Sequence, residues 1–154
     1  MYYYIYQLST SPIDASDFID EGSLLYEDIE SFSDYVSKID DNKYEQAYKD
    51  FPFIGTMFKR DDDKLIYQGC DKIFRQWYEY VSKEADKLSE EGLKSSSNTW
   101  RVKKALEVPF TEDRFVVSGW DECPEPSSDF LQYCAYSLKK GDVLYLGGVL
   151  NYHC

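Results

Sequence analysis

At 154 residues, with 43% hydrophobic and 18% aromatic side chains, the chain has the size and composition of one folded domain and excludes a disordered acidic tail. Its net charge of −12 lies mainly in the first third: residues 1–50 hold 12 acidic and 3 basic side chains, residues 51–154 hold 17 and 14. Such a surface repels nucleic acid and anionic membranes and attracts basic partners.

Tyr2 to Leu8 is rich in tyrosine and isoleucine and stops at Ser9-Thr10-Ser11-Pro12, which predicts a first strand. From Asp28 to Asp40, Ile29, Phe32, Val36 and Ile39 recur at three- and four-residue steps and predict a helix packed through that face. A shorter helix over Lys43 to Asp50 must end by Phe51-Pro52. Ile54 to Lys59 and Lys64 to Gln68 flank a polar tip and read as a hairpin. Between Asp71 and Glu91, Ile73, Phe74, Trp77, Val81 and Leu88 keep helical spacing, with Gly92 as a cap and Lys94 to Asn98 as a loop.

Trp100, Val102, Leu106 and Val108 fit an alternating strand pattern better than a helical one, although Lys104 interrupts it. Phe115 to Gly119 pairs with that strand across Thr111-Glu112-Asp113, and Pro124 and Pro126 mark a loop. Ser127 or Ser128 caps a helix carrying Phe130, Leu131, Cys134 and Leu138 inward. Val143 to Tyr152 closes as a strand with a bulge at Gly147-Gly148. The expected fold is α+β over residues 1–154: a mixed or mainly antiparallel sheet of about six strands built from hairpins, covered by three to four helices.

Chemistry is mostly missing from the pattern. His153, the one histidine, removes most nucleophile-and-base arrangements, and Cys154 beside it points to the opposite face of a strand. Cys70, Cys123, Cys134 and Cys154 have neither disulfide nor zinc spacing, which predicts reduced, metal-free thiols. Asp61-Asp62-Asp63 lacks the glycine and interleaved ligands of a calcium loop, and no glycine pattern cradles a phosphate. No catalytic residue, metal or cofactor is expected. Met1 to Tyr6 lacks the basic region of a secretory signal and no apolar run spans a membrane, so the expected compartment is the cytoplasm.

Fifteen tyrosines suit either half-buried positions, with Tyr48 and Tyr80 on core faces, or an interface. The expected function is therefore binding, not catalysis: Asp17, Asp20, Glu21, Glu27, Asp28, Glu30 and Asp34 would occupy a basic groove on a partner protein, such as a nucleic-acid-binding enzyme. On the predicted helix Glu30, Asp34 and Asp41 share the polar face about 6 and 10 Å apart, on the scale of phosphates along a strand. In size and charge, though not in motif, the chain resembles small acidic antirestriction and anti-CRISPR proteins. The alternative is a small enzyme or ligand-binding domain with a pocket of carboxylates and tyrosines.

Overall fold

The computed structural model describes every residue except Leu25, and for Tyr26 and Asp121 the backbone alone. Its elements in chain order are β1 (Tyr2–Ser9), α1 (Tyr26–Ile29), β2 (Tyr35–Lys38), α2 (Tyr44–Lys49), β3 (Phe58–Asp61), β4 (Lys64–Tyr67), α3 (Asp71–Asp86) and α4 (Glu90–Leu93). They continue with α5 (Ser96–Glu107), β5 (Arg114–Val117), β6 (Asp121–Glu125), α6 (Ser127–Ser137) and β7 (Val143–His153). The fold is α+β, as its pattern of hairpins and helices predicts, but the described residues form seven strands and six helices, more than expected of each.

The sheet runs β3-β4-β7-β1-β5-β6, with β2 also paired to β7. Only the β1–β5 ladder is parallel, so the sheet is mixed and mainly antiparallel. The long β7 is its hub: β4 joins at Val143–Tyr145, β2 joins at Leu150–His153, and β1 runs along the opposite edge. The register against β1 slips between Leu146 and Val149, which puts the bulge at Gly147-Gly148.

Alternation along the strands sorts two cores onto the two faces. Tyr6 and Leu8, Phe115 and Val117, Leu65 and Tyr67, and Leu144 and Leu146 meet α2, α3 and α6 in an aromatic-rich main core. The stacked Phe115 and Phe130 rings lie 4.3 Å apart within it. Ile5, Val116, Leu150 and Tyr152 face the other way, against Ile19, Leu24, Ile29 and Phe32.

Five expectations fail. No helix spans residues 28–40: α1 is a single turn ending at Ile29, and Tyr35–Lys38 become β2. Pairing with β7 satisfies this backbone better than a helix rich in Ser31, Ser33 and Asp34 would. The apolar set then splits, with Ile29, Phe32 and Val36 on the second core and Ile39 on the main one. The strand expected over Trp100–Val108 is the helix α5, whose inward residues are half-buried Asn98 and Val102 and buried Ala105, leaving Trp100 and Leu106 exposed. The loop expected over residues 94–98 is consequently in part its first turn.

Pro124 lies not in a loop but in β6, an edge strand where a missing N–H is tolerated and where pairing is irregular between Phe115 and Val117. β5 accordingly pairs with β1 and β6 and makes no hairpin across residues 111–113. Smaller differences follow. The long helix stops at Asp86, with Gly92 inside the separate turn α4, and β3 begins at Phe58 because residues 55–57 turn. Ser127 caps nothing; its hydroxyl reaches the carbonyls of Pro109 and Thr111. Tyr48 is buried as expected, but Tyr80 is exposed.

Candidate functional site

Residues 13–24 and 26–33 cross the second face of the sheet as a strap of short turns, two of them 3-10 turns at Ala15–Asp17 and Glu21–Ser23. A strap without regular helix cannot satisfy its own backbone, so side chains must do so. Buried Gln7 supplies the staple: its Nε2 donates to the Asp17 carbonyl at 3.0 Å, while its Oε1 accepts from the Ile19 and Gly148 N–H groups at 3.0 and 2.7 Å. The approach is so close that a Cβ on Gly148 would stand 2.7 Å from the Ile19 nitrogen, which requires glycine at the bulge. Further along, Asp20 and Ser23 cap each other reciprocally, and Glu21 Oε1 accepts the Lys38 N–H at 2.6 Å, tying the strap to β2.

These ties bring three of the seven predicted carboxylates together. Glu21, Glu30 and Asp34 line an open groove of about 550 Å³ with Ile29, Ser33, Tyr35 and Val36. Asp17, Asp20, Glu27 and Asp28 lie on the same strap but outside that lining; Asp28 is half-buried and the others are exposed. Asp34 is positioned from both ends, its N–H donating to the His153 carbonyl at 2.9 Å and its Oδ2 standing 3.6 Å from His153 Nδ1. The Ser33 hydroxyl reaches the same carbonyl at 2.9 Å. Because the helix over residues 28–40 is absent, the evenly spaced ladder of Glu30, Asp34 and Asp41 does not exist; the carboxylates converge on a groove instead of lining a rod.

The Lys and Arg ion pairs among the described residues all lie outside residues 1–39. Residues 1–39 carry eight carboxylates against Lys38. Among the described residues none of the eight forms an ion pair with a Lys or Arg side chain, and Asp34 stands beside His153. The ion pairs lie elsewhere: Asp40 with Lys43, Glu45 with Arg60 and Lys49, Glu84 with Lys87, Glu91 with Lys94, Glu107 with Lys103 and Glu112 with Lys104. The Arg60 guanidinium, hydrogen-bonded to Glu45, holds that carboxyl below the usual range.

Sequence reasoning missed Tyr35 and His153 as neighbours of the acids. Exposed Tyr2 and Tyr35 flank the His153 ring at 5.2 and 6.1 Å, and their hydroxyls meet at 3.1 Å. The signal lay in long-range strand pairing, which sets Tyr2 and Tyr35 on either side of His153. Metal chemistry finds no centre, since no three His, Cys, Asp or Glu side chains among the described residues are placed to hold an ion. No helix among them is long and apolar enough to cross a membrane. No protein-family model, curated protein or solved structure matches the chain.

Proposed function

We propose that the chain is a protein-binding module whose acidic strap occupies a basic groove on a partner protein, a groove of the kind that otherwise takes nucleic acid, and that it acts as an inhibitor and not as an enzyme. The observation that carries this reading is the set of carboxylates on the strap and at Asp34 that form no ion pair with a Lys or Arg side chain, three of them around one open groove. A partner's lysines and arginines would meet these acids without first breaking internal ion pairs, so the attraction steers encounter and adds to affinity. Apolar Ile29 and Val36 and the Tyr35 ring line the same groove and supply contact area that carboxylates alone lack.

The test uses the chain as bait in cytoplasmic extract, elutes with salt, and then measures the captured partner against the double variant Glu30→Lys with Asp34→Lys. Both side chains are exposed, so the fold should persist while binding weakens by about 1–3 kcal/mol at low salt and less when ions screen the surface. A partner that holds the double variant as tightly as wild type, with affinity indifferent to salt, would overturn the reading.

A further inference from the structure

Away from the strap, cations gather. Two hollows meet at Tyr80 and Lys104, a larger one of about 580 Å³ walled by Tyr3, Tyr80, Val108 and Phe110 and a smaller one of about 210 Å³ holding Lys87, Trp100 and Arg101. In the smaller hollow three cations face one carboxylate, Glu84, on a protein whose net charge is −12. Glu84 is taken by Lys87 at 2.8 Å and Lys104 is held by Glu112 at 2.6 Å. Arg101 has no ion-pair partner among the described residues. The hydrogen bond to Glu112 keeps the Lys104 ammonium protonated above its ordinary range, and its charge also lies 5.1 Å from the Trp100 ring centre.

The walls are fixed more firmly than a surface loop requires. Phe110 takes φ +73° with its ring 47% exposed, a left-handed backbone that non-glycine residues rarely adopt. Buried Ser127 enforces it by reaching the carbonyls on either side, Pro109 at 3.0 Å and Thr111 at 3.2 Å. The next residues are held as well: the Tyr152 hydroxyl donates to the Glu112 carbonyl, and Asp113 accepts from the Thr111 hydroxyl and the Tyr4 N–H. On the opposite wall Trp77 Nε1 donates to the Ala105 carbonyl at 2.8 Å and fixes α5 against α3. Backbone strain that its surroundings over-determine clusters at ligand-binding sites.

We propose that the joined hollows bind a small planar aromatic anion, with its flat ring against Tyr3, Tyr80 and Phe110 and its phosphate or carboxylate at Arg101 and Lys104. Stacking and cation contacts then act on opposite ends of one ligand, so neither half alone should bind well. Calorimetry on the whole chain tests this with adenosine monophosphate and indoleacetate as ring-bearing anions, and with adenosine and inorganic phosphate, or indole and acetate, as their respective halves. At least one ring-bearing anion should bind about tenfold more tightly than either half. Binding of the monophosphate alone would assign a phosphate ligand, and of indoleacetate alone a carboxylate.

Arg101→Ala should weaken that anion about tenfold, and so should Phe110→Gly, which accepts φ +73° and should leave the thermal midpoint unchanged or raised. Absence of heat with both anions up to about 5 mM, equal binding of either half, or two variants that bind like wild type would overturn the proposal. Because these residues lie outside the strap, the result is independent of the double reversal at Glu30 and Asp34.

Discussion

On one face of the sheet, α2, α3 and α6 lay Ala47, Trp77, Phe130 and Leu131 onto the strands, whereas on the other the turns of the strap lay down only Ile19, Leu24, Ile29 and Phe32. Helices satisfy their own backbones and set acids and bases three or four residues apart, so Glu84 with Lys87 and Glu107 with Lys103 pair as neighbours. The strap has neither that spacing nor the cations, and its backbone depends on Gln7, Ser23 and Glu21. The helical face carries the larger core, and on the acidic face Glu21 and Asp20 are used to hold the backbone while the acids form no ion pair with a Lys or Arg side chain.

Breaking this contrast begins in the main core. Phe130→Ala should cost about 3–5 kcal/mol, because a fully buried ring stacked on Phe115 leaves a cavity, and Leu24→Ala under the strap should cost about 2. Denaturant midpoints read both, and equal losses would mean that the two cores bear equally on stability. Gly148→Ala comes next: its methyl group would strike the Ile19 backbone, costing about 1–3 kcal/mol. Hydrogen exchange should then quicken between residues 13 and 24 while α3 and α6 stay protected; uniform quickening would show that the strap does not open separately.

The smallest effect is expected at Asp113, half-buried just before the β1–β5 ladder begins. Burial raises its pKa, so its ionised form is disfavoured in the folded state. With the folded pKa above the unfolded one, its contribution is fully present below the unfolded value and is lost as pH rises through the folded value. Wild type should therefore lose stability relative to Asp113→Asn as pH rises from about 4 towards neutrality, and parallel curves would count against it.

Much of the helical face is legible in the sequence because single elements settle it. Ile73, Phe74 and Trp77 repeat at helical spacing, Phe130, Leu131 and Cys134 do likewise, and Ile54 to Gln68 reads as a hairpin around an aspartate tip, which the strands narrow to Phe58–Tyr67. The strap side is opaque for a physical reason: Val36 joins a strand through its partner β7, more than a hundred residues away in sequence, and no local window contains that ladder. α5 misleads differently, since its inward side rests on Asn98 and Ala105 while Trp100 and Leu106 face solvent and imitate an alternating strand. Of the seven carboxylates read from charge alone, Glu21, Glu30 and Asp34 converge on a groove, and it is Lys38, Ser33 and the His153 carbonyl, not helical spacing, that fix the backbone around them.

β7 has a kinetic consequence. Its partners begin at Tyr2, Tyr35 and Lys64, so the hub of the sheet is synthesised after every strand it joins. Until it emerges, β1 and β4 have no common neighbour, and the sheet can exist only as the separate β1–β5–β6 and β3–β4 parts. Closing loops this long before any ladder rewards them slows folding to a scale of about milliseconds to seconds, the regime of high contact order. Stopped-flow refolding would time that closure, and a microsecond phase accounting for all the amplitude would show that the sheet assembles by another route.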